Sequence, residues 1–319
     1  MESTPWDPEG AAALLDAEGR LAGGATLGGL DARAYYKQLV AARSLDLRLA
    51  RAGVPMWAPA AGEEAPLVAT ARVAHAEEWI FPGGRDVAVA LVRGMPMPEL
   101  VRRVMGREGH GPVGRVSSPA RRIAAGTDAL GLHLPLAAGH AHGERLAGSG
   151  RAVFALCGEG TSTTAGFTET LALAAACDLP LVIVMRSQLW PNGAPAEAGV
   201  LGDSVADRVR ACGLWARRVD GADPVAVHNV IASAAERARA GRGSGIVDVV
   251  VTPQLHDPPA HRDPVERLRR FLDSRGEWSV TFQDVCEAEV RSQLDQAFAQ
   301  LDEELDRLAA AAAAGGASS

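Results

Sequence analysis

The sequence predicts an α/β protein: a doubly wound, mainly parallel sheet with a helical C-terminal extension. Two observations carry this. Ala152 to Cys157 and Leu181 to Met185 are short apolar runs, separated by a glycine loop and a helical stretch over 165–177 that stops at Asp178-Leu179-Pro180. Strands that are apolar along their whole length are buried on both faces, and a strand–helix–strand order makes them parallel. The alternation then continues with a strand at Trp215 to Val219, a helix over 224–240 and an apolar strand at Ile246 to Val251.

The elements follow in order. Residues 1–30, rich in Gly, Ala and acid, read as an extended arm. Within 32–52, Tyr35, Leu39, Leu45 and Leu49 recur at helical spacing. Pro55 breaks that helix, and a second runs from Glu63 to Ala74. Trp79 to Asp86 is a short apolar strand entering a glycine turn. A helix over 87–106 is interrupted at Arg93-Gly94. Residues 107–127 carry Gly, Pro, Ser and Arg without periodicity and read as a long loop. Leu130 to Ala147 is a helix with small residues on one face, and a further helix covers 205–213. Pro258, Pro259 and Pro264 mark a linker before helices at Glu266 to Leu272 and Val285 to Leu308. The expected organisation is an arm (1–30), an α/β domain (31–257), a helical extension (258–308) and a disordered tail (309–319).

Bulk properties narrow the function. A length of 319 residues suffices for a full core, and a net charge of −7 argues against a nucleic-acid binder. Cys157, Cys177, Cys212 and Cys286 form no CxxC pair, so they read as reduced thiols of a cytoplasmic protein. The start, MESTPWDPEG, does not read as a signal peptide, and no uncharged run of about 18 apolar residues calls for a membrane.

The chemistry points to Gly158-Glu159-Gly160. In doubly wound folds ligands bind at the carboxyl ends of strands, where glycines let the backbone approach a phosphate and a following helix offers free amides. Glu159 would repel a bare phosphate, so a cation with oxygen ligands, magnesium or calcium, belongs between them. The next strand ends at Arg186-Ser187-Gln188-Leu189-Trp190, where more oxygen ligands arise.

This arrangement resembles the alpha subunit of thiamine-diphosphate-dependent 2-oxo acid dehydrogenases. That family carries Gly-Asp-Gly, a helix with a glutamate, Leu-Pro, and Asn-Asn-x-Tyr. The matching residues are Gly158-Glu159-Gly160, Glu169, Leu179-Pro180 and Ser187 to Trp190, and Glu159 and Gln188 stand at the family spacing of 29 positions. Gly62-Glu63-Glu64-Ala65, Gly84-Arg85-Asp86, Leu134 to Gly139, Ser204 to Asp207, Val219-Asp220-Gly221 and Arg262-Asp263-Pro264 resemble further family motifs in the same order, over roughly 31–305. The resemblance implies thiamine diphosphate held through a divalent metal, magnesium or calcium. It assigns Glu159 and Gln188 to the metal, Arg85, Leu130, Gly158, Gly160, Thr161 and Trp190 to the cofactor, and His256 to catalysis. It implies oxidative decarboxylation with acyl transfer to lipoyl, in a site shared with a beta-type subunit, and a lipoyl acyltransferase component as a further partner.

The departures fall on functional positions. Aspartate and asparagine are lengthened to Glu159 and Gln188, the family tyrosine is Gly84, a histidine is Val87, a glutamine is His133, and 115–125 holds no histidine. The alternative reading is therefore a degenerate, non-catalytic homologue that kept the fold as a structural or regulatory subunit. On either reading the partner face of an isolated chain favours self-association. His140 and His142 lie two apart on a helix, on different faces, which argues against a metal pair.

Overall fold

The structure, a computed structural model, describes residues 8, 10–27, 29–54, 57, 59–105, 116–127, 129–188, 204–254 and 258–316, with backbone alone at 309 and 311–316. Its centre is a five-stranded, wholly parallel sheet in the order β1-β2-β3-β5-β4: β1 Ile80–Phe81, β2 Val153–Gly158, β3 Leu181–Gln188, β4 Trp215–Asp220 and β5 Gly245–Val251. The helices are α1 Ala32–Arg51, α2 Glu64–Val73, α3 Val87–Val92, α4 Met97–Val104, α5 His133–Leu146, α6 Ala165–Cys177, α7 Val205–Ala211, α8 Pro224–Arg239, α9 Pro264–Ser274 and α10 Val280–Gly316.

Alternation along the strands divides the core in two. Phe154, Leu156, Val182, Val184, Val247 and Val249 pack with α1, α2 and α8. Val153, Ala155, Cys157, Ile183, Met185 and Ile246 pack with α5, α6 and α7. The helices that lead into β2, β3 and β4, namely α5, α6 and α7, thus lie on one face, and α8 crosses the other to return the chain to β5 between β3 and β4. Right-handed crossovers require that change of face when the direction of travel along the sheet reverses. A third cluster joins Leu45 and Leu49 of α1 to Leu100, Val101 and Val104 of α4 and to Val290, Leu294 and Leu301 of α10. The helical extension is therefore seated on the body of the protein.

The helical stretch over 87–106 breaks at Arg93-Gly94 as expected, since Gly94 turns left-handed at φ +79 and Pro96 caps α4. Two local features differ from the sequence reading. Part of the expected long loop pairs with the sheet edge: Ile80 donates to the Arg122 carbonyl (2.9 Å) and accepts from the Ala124 amide (2.9 Å). The last helix passes Leu308 and continues to Gly316 through an alanine run, the residue with the highest helix propensity. The N-terminal arm bridges β4 at Ala12↔Val219, and its Leu14 and Leu15 amides donate to Asp223 (2.5 and 2.6 Å).

Candidate active site

A cavity of about 320 Å³ opens at the carboxyl ends of β1, β2 and β3. Three segments wall it: Pro82 to Arg85 after β1, Thr127 and Ala129 to Gly131 before α5, and Gly158, Gly160 and Thr161 at the end of β2; Arg186 of β3 lies among them. The turn after β2 is a 3-10 helix, Glu159–Thr163, and α6 starts only at Ala165, capped by Thr164, whose Oγ1 accepts from the Phe167 amide (3.3 Å). Gly131 fixes the approach to α5. It sits at φ +78, and a Cβ there would stand 2.6 Å from Thr164 Oγ1. By contrast, a Cβ on Gly84 or Gly158 would meet nothing within 4 Å, and one on Gly160 only Leu130 Cδ2 at 4.0 Å. These three glycines border open space.

The cavity carries a buried charge network. Arg186, 5% exposed, points Nη1 at Asp86 Oδ1 (2.6 Å) and at Glu63 Oε2 (3.2 Å). Glu63 also faces Arg85 Nη2 at 3.4 Å, and Asp86 accepts the Gly83 amide at 2.6 Å. Burial alone would favour loss of the Arg186 proton, but Asp86 and Glu63 outweigh it and hold its pKa above the usual value. His133 donates Nε2–H to the Leu156 carbonyl (2.8 Å), and burial depresses its pKa, so it stands neutral. Burial pushes the Cys157 thiol up to about 12, which keeps it protonated and unreactive.

Arg85, Leu130, Gly158, Gly160 and Thr161 all line this one cavity. Glu159 lies beside it, and its Oε2 accepts the backbone amide of Gln188 at 3.1 Å, so the two expected metal positions adjoin through carboxylate and main chain. Trp190 and His256 lie outside the described residues. Among the described residues no three His, Cys, Asp or Glu side chains converge as a metal site. A cation at Glu159 would draw its remaining ligands from main-chain, amide and ligand oxygens. His140 meets Trp79 edge-on and Phe81 at a tilt and faces Glu144 at 3.4 Å, and Glu169 is exposed on α6. Sequence reasoning missed Arg186 and Glu63; the available signal was a single arginine ending an otherwise apolar run.

Residues 42–252, more than half of the chain, match the Dehydrogenase E1 component family. The chain belongs to the E1 dehydrogenase family. Its similarity extends across most of its length to alpha subunits. It is 28% identical over 289 residues to the pyruvate dehydrogenase E1 component subunit alpha of Bacillus cereus, covering 85% of this chain and 76% of that one. It is 28% identical over 300 residues to the 3-methyl-2-oxobutanoate dehydrogenase subunit alpha of Mycobacterium tuberculosis, covering 86% and 81%. The pyruvate dehydrogenase E1 component subunit alpha of Bacillus subtilis follows at 25% over 290 residues. E1 dehydrogenases typically use thiamine diphosphate and magnesium. No helix among the described residues is long and apolar enough to cross a membrane.

Proposed function

We propose that this E1 chain is the alpha-type subunit of a thiamine-diphosphate-dependent 2-oxo acid dehydrogenase, sharing its site with a beta-type subunit in the cytoplasm. The observation that carries the reading is the donor set of one cavity: the guanidiniums of Arg85 and Arg186 beside three glycines that border open space, with the Glu159 carboxylate at the adjoining strand end. Guanidiniums and glycine-turn amides suit a diphosphate, and the carboxylate suits the divalent cation that a diphosphate brings. In this reading Arg85, Arg186 and the turn at Gly158 and Gly160 hold the diphosphate, while Glu159 and Gln188 hold magnesium or calcium. Leu130, Thr161 and Trp190 border the cofactor, and His256 serves catalysis. The bound cofactor supplies the decarboxylation chemistry; the protein orients it and excludes water.

A second subunit is supported by the surface beside the cavity. Leu130 is 65% exposed at the cavity mouth, and Leu132, the N-cap of α5, and Leu136 within it are 51% and 53% exposed. Exposed apolar side chains this close in sequence beside a cavity suit an interaction face. A beta-type subunit seated there would close the cavity, and a lipoyl acyltransferase component would receive the acyl group. The second reading, a non-catalytic homologue, is favoured by Val87, which takes a family histidine position and is buried in the third core cluster.

Calorimetry of the full chain with thiamine diphosphate and magnesium or calcium, with and without a beta-type partner, tests the proposal. Saturable binding that Glu159→Ala abolishes is expected. Absence of heat and of thermal stabilisation under every combination would overturn the cofactor assignment, and binding without turnover in the complex would select the second reading.

A further inference from the structure

We propose that Glu63 is a positioning residue that restrains both cavity arginines and makes anion binding there conditional on a divalent cation. This rests on the reading of the cavity as a diphosphate site. Glu63 comes from the turn before α2, on the sheet face opposite α5 and α6. Its side chain is 3% exposed, yet it makes no helix-capping hydrogen bond. The turn fixes its place. Gly62 sits at φ +97, where a Cβ would lie 2.2 Å from the Thr252 carbonyl oxygen, and the Glu63 amide donates to Ala60 (2.8 Å). From there the two carboxylate oxygens reach two different cations, Oε1 to Arg85 and Oε2 to Arg186.

Asp86 already pairs Arg186 at 2.6 Å, so Glu63 adds a second buried negative charge to the same wall. Among the described residues the two guanidinium charges are thereby matched by at least two carboxylates, and Glu159 adds a further negative charge beside the cavity. A bare diphosphate would enter a cavity whose cations are already balanced and would meet a net negative neighbour. A divalent cation reverses that sign. Glu63 Oε2 and Arg186 Nη1 approach to 3.2 Å without a well-aligned hydrogen bond, so the attraction between these two groups is mainly one of charge. Removing the Glu63 charge should release positive potential into the cavity and leave Arg186 paired with Asp86.

The test is calorimetric titration of inorganic pyrophosphate into the full chain, wild type and Glu63→Gln, with excess EDTA and with magnesium. The wild type should bind pyrophosphate strongly only with magnesium. Glu63→Gln should raise magnesium-free affinity at least about tenfold, the order expected for each unit of pyrophosphate charge on removing one unit charge at about 10 Å in an effective dielectric of about 20. The ratio of affinities with and without magnesium should fall, because the magnesium complex carries less negative charge and gains less. A purely structural role would weaken both affinities together and leave the ratio unchanged, which would overturn the proposal. Equal wild-type binding with and without magnesium would overturn it with no variant at all. Wild type that binds neither pyrophosphate nor thiamine diphosphate under any ion would instead sink the diphosphate reading itself, and this inference with it.

Discussion

Replacing Arg186 by methionine tests whether the cavity wall is held by charge. Methionine retains much of the arginine stem's volume, so the loss is mainly electrostatic. Asp86, with no exposed side-chain surface, would keep only the Gly83 amide as a described partner, and Glu63 only Arg85 at 3.4 Å. Removing one member of a buried ion pair costs about 3–5 kcal/mol, because the other is left uncompensated. The partial pairing of Glu63 places the expectation near 3 kcal/mol. Urea unfolding at neutral pH, followed by circular dichroism, reads this as a lower midpoint at unchanged slope. The double variant Arg186→Met/Asp86→Asn should recover most of the loss, since removing both charges of a buried pair is often close to neutral. A loss under about 1 kcal/mol for the single variant, or no recovery in the double, would refute the idea of an ionic wall.

Further expectations concern the turns, a buried acid and the exposed face. Gly131→Ala forces a left-handed non-glycine residue against the α6 cap, and should cost about 1–3 kcal/mol in the same urea assay; wild-type stability would show that the turn tolerates a side chain. Asp46 accepts from Trp57 Nε1 (3.0 Å) and the Ala60 amide (2.8 Å), yet burial raises its pKa to about 6. A folded value above the unfolded one, about 3.9, means that the native state holds the proton more tightly. Its contribution to stability is therefore present below about pH 4 and lost as pH rises towards 6. Carboxyl-carbon NMR should show a midpoint near 6, and one near 4 would remove the effect. Leu136→Glu should abolish co-purification with a beta-type subunit without altering the circular dichroism spectrum; a complex of undiminished yield would place the partner elsewhere.

Much of the fold was legible because its central strands are apolar over most of their length. Leu181 to Met185 has no hydrophilic position, so its burial on both faces follows from composition. What escaped was set by distant contacts. Nothing periodic marks Ile123, which becomes part of the sheet edge only because Ile80 presents an open ladder. The alanines after Leu308 suit either a tail or a helix, and the helix continues. Glu63, in a turn with a second glutamate, looks like a solvated acid; the parallel sheet brings β3's only guanidinium beneath it. The cavity was legible through Gly158 to Thr161 and Arg85, whereas its charge balance required knowing which acids face which arginines.

That balance bears on the lengthened side chain at Glu159. One more methylene than aspartate would carry an extended carboxylate further into a metal site. In the structure the extra length crosses from the end of β2 to the end of β3, where Oε2 takes the Gln188 amide. A carboxylate has two oxygens and about four acceptor directions, so one amide leaves most of them free for a cation. The amide also fixes the carboxylate's orientation before any cation arrives, which lowers the ordering cost of binding. The longer side chain is thus consistent with a metal site in which β2 supplies the charge and β3 holds it in place, and it does not by itself argue for a degenerate one.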